Sequence, residues 1–193
     1  EHGTKGFSAS KHLEKLGCRS SDTVELTFED VRISDEQRLG DVDHGFIDTM
    51  NILDRGRISI AAMALGLGYG ALEMGVTYAK DRKQFGKAIG DFQAVQWMLA
   101  DSKTELDAAS LLTYRAAWLC DRGQPYSREA SMAKLFASEA SSRACNRSLQ
   151  IHGGYGYTRE FAVERHLRDA KICEIGEGTS EVQRMVIAKH LLA

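Results

Sequence analysis

One proline, Pro125, serves all 193 residues. Proline interrupts helices because its ring removes a backbone donor and clashes with the preceding turn. A chain nearly free of it can run long helices, and the apolar residues recur with the helical period. Phe46, Met50, Leu53, Ile60, Ala64 and Leu72 mark a first helix over about 45–80, rich in glycine (Gly56, Gly66, Gly68, Gly70, Gly75). Glycine lowers helix propensity, so these positions are expected to let another helix or a ligand approach closely. Phe92, Val95, Leu99, Leu106, Ala109 and Leu112 mark a second helix from about Asp91 to Arg122, roughly 45 Å long at the standard rise. It stops at Gly123, just before Pro125. A third, about 127–151, carries the small-residue stripe Ala133, Ala137, Ala140 and Ala144 and stops at Gly153-Gly154. A fourth, about 161–173, buries Val163, Leu167 and Ala170. The last starts near Ser180, where Ser180 with Gln183 fits a capping box. Long helices with short connections predict a mainly α fold, an antiparallel bundle of the four-helix type.

The beginning is different. Thr23 to Phe28 alternates, with Val24, Leu26 and Phe28 on one face, and predicts a half-buried strand that Val31 and Ile33 continue after a turn at Glu29-Asp30. Residues 1–21 are rich in Gly, Ser and Lys and show no helical period. One or two strands are not stable alone. Residues 1–40 therefore read as the last strands of a β domain, and 41–193 as a helical domain. The first residue is Glu1 rather than Met, with no basic-then-apolar leader, so further chain is expected upstream.

Lys plus Arg number 25 against 27 Asp plus Glu, a formal charge of −2. That balance offers no electrostatic footprint for nucleic acid, yet allows a small anionic ligand met by a few arginines. No run of 18 apolar residues occurs, so no membrane span is expected. Cys18, Cys120, Cys145 and Cys173 lie far apart and read as reduced thiols of an intracellular protein. No CxxC and no HExxH spacing gives metal chemistry support.

The segment Gly176-Glu177-Gly178-Thr179-Ser180 is the most informative. A carboxylate between two glycines, just before a helix, can be a solvated loop acid or a general base aimed into a cavity. Burial would raise its pKa and the helix N-terminus would lower it, and the sequence leaves that balance open. Glu174 and Glu181 read as helix-surface or first-turn acids. Arg82, in Asp81-Arg82-Lys83-Gln84-Phe85-Gly86, is a C-terminal helix cap or a phosphate grip. Gln150 to Gly156 (QIHGGYG) is a helix stop or a backbone approached by a planar ligand, with His152 a satisfied core histidine by default. Gly66-Leu67-Gly68-Tyr69-Gly70 follows a helical period rather than a strand, which excludes a Rossmann turn. Asp54, Arg55 and Arg57 read by default as a solvated helix face.

Together these segments resemble the C-terminal half of the acyl-CoA dehydrogenase family. The resemblance runs in order through RSSDTVELTFEDV (19–31), LDRGR (53–57), RKQFG (82–86), Phe92-Gln93, QIHGGYG (150–156), RDAKI (168–172) and IGEGTSEVQR (175–184). It implies the end of a middle β domain followed by the helical bundle, with FAD between them. It also implies a reaction: α,β-dehydrogenation of an acyl-CoA thioester, in fatty-acid or branched-chain catabolism. A glutamate takes the α-proton as the β-hydrogen leaves as hydride, and the family's base position falls on Glu177. The family's thioester carbonyl accepts from a flavin ribityl hydroxyl and from the backbone N–H of the base.

Residue by residue, the resemblance puts Arg82, Lys83, Gln84, Phe92 and Gln93 near the FAD of a neighbouring subunit. Gln150, Ile151, His152, Gly153 and Gly154 fall at the adenosine part of that flavin. Thr179, Ser180 and Glu181 match positions touching the cofactor's diphosphate side. Asp54, Arg57 and Gly178 match positions bordering substrate. Sharing FAD between protomers implies a homo-oligomer, usually a dimer of dimers. An electron-transfer flavoprotein is the implied acceptor, and the implied place is cytoplasmic in bacteria or the mitochondrial matrix in eukaryotes. Some relatives carry the base at the position of Gly56, which has no side chain to serve. Gly176 stands where many straight-chain members have an aromatic residue, which opens the pocket beside the α-carbon. The alternatives are an acyl-CoA oxidase and a non-catalytic helical assembly module.

Overall fold

A computed structural model describes residues 3–193. Five α-helices carry most of them: α1 (Gly45–Asp81), α2 (Gln93–Asp121), α3 (Ser127–His152), α4 (Val163–Ile175) and α5 (Ser180–Leu192). The first three lie within a few residues of the spans the apolar period predicts, and α4 starts two residues later than expected, after Ala162. Side-chain partners give the directions. Arg57 meets Ser131 and Ser148 meets Ala71, so α1 and α3 run parallel. Glu105 meets Arg143 and Arg115 meets Glu129, which sets α2 antiparallel to α3. Going along α4, His166 approaches Gly70 and the following turn reaches Gly56, so α4 descends along α1. The bundle is up-down-up-down.

How closely two helices approach depends on the side chains at their contact, and small ones bring the backbones nearest. Here a Cβ on Gly68 would come within 3.2 Å of the Ser141 backbone, and one on Gly75 within 2.7 Å of Ser148 Oγ. Beside those serines on α3, Ala133, Ala137, Ala140 and Ala144 are all 1% exposed or less. The alanine stripe of α3 and the glycines of α1 thus form one seam, closed by Leu65, Leu72, Leu106 and Cys173. Gly66 has nothing within 4 Å, so close approach explains some of the glycines and not all. By length and composition alone α1 would suffice to cross a membrane, but its apolar stripe is spent on this seam.

Before the bundle, β1 (Phe7–Ala9) pairs antiparallel with β2 (Leu26–Phe28), Phe7 opposite Phe28. The expected strand is shorter than its alternation suggests, and β1 arises in a stretch without a period. Its predicted buried face is open: Leu26 is 54% and Phe28 64% exposed, with Val24 half-buried. Residues 31–34 form no strand after the turn at Asp30. The segment is tied to α4, where the Cys18 N–H donates to Asp169 Oδ1 at 2.7 Å and Arg168 donates to the Leu16 carbonyl at 3.0 Å. All four cysteines are free thiols, and Cys145 and Cys173 are buried. Burial pushes their thiols up to about 12 and about 11.

Candidate active site

Glu177 sits in the turn between α4 and α5. It holds a left-handed φ of 57°, followed by Gly178 at 91°. A non-glycine residue there is strained and persists only where its surroundings impose it. The imposition is visible: Gln183 Nε2 donates to the Glu177 carbonyl at 3.1 Å and to the Gly178 carbonyl at 2.9 Å. The carboxylate lies directly over α1, where a Cβ on Gly56 would stand 2.5 Å from Glu177 Oε2. Gly56 cannot itself be a base, yet only a residue that small leaves this space to Glu177.

The turn corrects one expectation. Thr179, not Ser180, caps α5, its hydroxyl accepting from the Val182 N–H at 3.4 Å. Ser180 is the first helical residue, and Gln183 serves the preceding carbonyls instead of a capping box. Thr179 also holds the exposed Glu181, whose carboxyl stays below the usual range through bonds to its own amide and to that hydroxyl.

The solvated-face reading of LDRGR fails for two of its three charges. Arg57 is 7% exposed and ion-paired to Asp54, which Ser127 Oγ joins at 3.0 Å; Ser131 Oγ lies 3.4 Å from the guanidinium. Only Arg55 is exposed. Among the described residues, six buried side-chain polar atoms lack a partner, and four of them cluster here: Arg57 Nε, Glu177 Oε2, Ser180 Oγ and Gln183 Oε1. The Glu177 backbone N–H also makes no hydrogen bond among the described residues. Unpaired buried polar atoms are costly, so their concentration at one place marks a site shaped for a polar ligand.

A second site lies at the other end of α1, roughly 39 Å of helix axis from Gly56 to Arg82. RKQFG is not a simple cap. Lys83-Gln84 and Lys87-Ala88 form a two-stranded hairpin whose turn residues, Phe85 and Gly86, have φ of 51° and 82°. The hairpin turns Arg82 and Gln84 towards a cleft of about 450 Å³ shared with Ile151, His152, Gly153, Gly154, Tyr78 and Tyr155. His152 is 4% exposed, its Nδ1 is 2.8 Å from the Ser148 carbonyl, and its ring stacks on Tyr78 at 4.2 Å. The Arg82 guanidinium lies 5.7 Å over the Tyr155 ring. Gly153 and Gly154 have open space beside them, a bare backbone for a flat ligand.

Of the predicted residues, Lys83, Gln93 and Gln150 are exposed near this cleft without lining it. Phe92 packs against Phe85 and beneath Lys87. Sequence reasoning missed Lys134, Ser127, Ser131, Tyr78 and Tyr155. None carries a signal of its own in the sequence: Lys134 is one of three charges, with Glu139 and Arg143, in the alanine-rich span of α3.

The family model "Acyl-CoA dehydrogenase, C-terminal domain" matches residues 43–192. The chain is 52% identical over 189 residues to a probable acyl-CoA dehydrogenase, YngJ, of Bacillus subtilis, covering 98% of this chain and 50% of that protein. It is 50% identical to a mitochondrial short-chain specific acyl-CoA dehydrogenase of Bos taurus, covering 98% of this chain and 46% of that one. The solved butyryl-CoA dehydrogenase of Megasphaera elsdenii superposes with a TM-score of 0.98 at 46% identity, covering 100% of this chain and 50% of that one. An FAD complex of PigA superposes at 0.94 and 32% identity, covering 99% and 50%. The chain spans about half the length of the relatives it matches. A matched domain, a shared fold and half-identical sequences agree: this chain belongs to the acyl-CoA dehydrogenase family.

Proposed function

We propose that this chain supplies the base and part of the cofactor surface of an FAD-dependent acyl-CoA dehydrogenase. Residues 1–40 are the end of the β domain and residues 41–193 the helical domain. The observation that carries the reading is the Glu177 carboxylate, set over Gly56 with a buried, unpartnered Oε2 and an unengaged backbone N–H in the same residue. A carboxylate in water is too weak a base for a thioester α-proton. Excluding water and placing a donor on the thioester carbonyl narrows that gap. Glu177 takes the α-proton while its own N–H donates to the carbonyl, and the Asp54–Arg57 pair with Gly178 borders the substrate arm.

The residues fit FAD. Unpartnered Ser180 Oγ at the start of α5, with Thr179 and Glu181 beside it, offers polar contacts at a helix N-terminus suited to a diphosphate. At the far cleft, Arg82, Gln84 and the hairpin, with Phe92 and Gln93 behind it and Lys83 at its edge, meet the bare 150–154 backbone, a surface for a flavin bound mainly by another protomer. When bound, FAD supplies the acceptor for the β-hydride. The distance between the two ends of α1 supports a homo-oligomer, a dimer of dimers, since one cofactor does not span both. An electron-transfer flavoprotein is the proposed acceptor, and the proposed place is cytoplasmic in a bacterium or the mitochondrial matrix in a eukaryote. The short-chain and butyryl-CoA relatives favour a short acyl substrate.

The test is anaerobic flavin bleaching of the holoenzyme carrying this chain across acyl-CoAs of graded length and branching. Bleaching that peaks at short chains supports the whole reading. Absence of bleaching with every acyl-CoA overturns it, and stoichiometric peroxide in air replaces the dehydrogenase by an oxidase.

A further inference from the structure

Lys134 is the largest fully buried side chain in the bundle, 0% exposed amid Ala130, Ala133 and Ala137 of α3. An ammonium in such surroundings needs a strong acceptor to remain. Its Nζ donates to the Gly178 carbonyl at 2.7 Å. The nearby acid on α4, Glu174, is engaged by Lys171 at 2.6 Å. Lys134 therefore serves the turn rather than a plain ion pair. The charged and titratable groups that face it are Glu174 and Cys173 from α4, Glu177 from the turn and Arg57 from α1. Burial outweighs them and holds its ammonium below the usual lysine range.

Gln183, also 0% exposed, grips the same carbonyl and the one before it from α5. The two donors arrive from different helices on the two consecutive residues with left-handed backbone. Their pull fixes both peptide planes, and the planes set where the Glu177 side chain leaves the chain. Gly178 is required for this: a Cβ there would stand 2.8 Å from Gln183 Nε2.

We propose that Lys134 is a positioning residue for the base: its bond to the Gly178 carbonyl, with Gln183, locks the 177–178 turn so that the Glu177 carboxylate stands over Gly56. The proposal rests on Glu177 being the base. Lys134 touches no reacting atom and acts through the turn alone.

The experiment compares Lys134→Met, and Lys134→Gln which keeps an N–H donor, with wild type in the holoenzyme. Amide hydrogen exchange is read without substrate at Gly176, Val182 and Gln183, the hydrogen-bonded amides that flank the turn, and flavin bleaching is read at saturating acyl-CoA. Lys134→Met is expected to keep its flavin and to melt close to wild type, since the Gly178 carbonyl keeps its bond from Gln183. Exchange in the turn should rise about tenfold with the α1–α3 seam unchanged. Bleaching should slow about 100-fold with acyl-CoA affinity changed less than about threefold, and Lys134→Gln should fall between. A folded Lys134→Met that bleaches within about twofold of wild type, or a turn whose exchange does not move, overturns the proposal. Loss of folding in both variants overturns it too, in favour of a purely structural lysine. If wild type itself does not bleach, the base assignment has failed, while the exchange measurement still decides whether Lys134 holds the turn.

Discussion

The two ends of α1 are built on opposite plans. At the Gly56 end one chain does everything: a buried ion pair, a strained turn and two buried donors hold a carboxylate in place. At the Arg82 end the chain offers a surface. The cleft is open, Phe85 is 92% exposed and Arg82 is bound to no carboxylate among the described residues. Proton abstraction demands fixed geometry, because a small misplacement costs large factors in rate. The role proposed for the Arg82 end, to meet one end of a cofactor held mainly by another subunit, would demand only complementary chemistry and access.

The largest effect is expected at the proposed base. Glu177→Gln in the holoenzyme should lower the acyl-CoA-driven bleaching rate about 10³–10⁴-fold with flavin retained, and wild-type bleaching would remove Glu177 from its role. Next comes the ion pair. Asp54→Ala leaves a buried guanidinium uncompensated and should cost about 3 kcal/mol in thermal unfolding; an unchanged melt would mean Arg57 finds another partner. Arg82→Ala at the open end should shift stability by less than about 0.5 kcal/mol. Its FAD affinity, by titration of the apoprotein, should weaken about 10–100-fold through loss of a charge-assisted contact. Equal FAD affinity would sink the shared-site reading.

Gly56→Ala tests the shared space. The carboxylate is the far end of a flexible side chain, so it should shift and slow bleaching by about tenfold or less, while helix propensity gains up to about 1 kcal/mol. The smallest effect lies at the α2–α3 seam. Burial pushes Glu105 up, but hydrogen bonds from Arg147 and Arg143 override it and hold its carboxyl below the usual range. A depressed folded pKa gives stability that is present above the ordinary carboxylate value and is lost as pH falls through the lowered one. Glu105→Gln should therefore flatten the acid limb of the melting profile below about pH 4; a parallel profile would show that the seam does not depend on that charge.

The helices were legible because burying one face of a helix writes a period into the chain, and the small residues of α1 and α3 were legible as places of close approach, though not which residues would meet there. GEGTS was legible because glycines on both sides of an acid are uncommon without a spatial reason. What stayed hidden depended on partners distant in sequence. Arg57 looked solvated because its three neighbours in the motif are charged or small, while Ser131, which meets its guanidinium, and Ser127, which meets its partner Asp54, lie some seventy residues on. Phe28 looked buried because alternation records a face that wants covering, not what covers it. Thr179 and Ser180 are both good caps by type, and only the turn geometry chose between them.

By itself, then, the sequence determined where the chain is helical, which faces are small enough for close contact and which acid has glycine on both sides. Those are local properties, set by backbone propensity and side-chain volume. The tertiary structure alone decided that Lys134 and Gln183 converge on that acid's turn, that Glu177 fills the space of the missing Gly56 side chain, and that the two sites face opposite ends of one helix. Such facts depend on the register between helices, and register is fixed only when their surfaces pack.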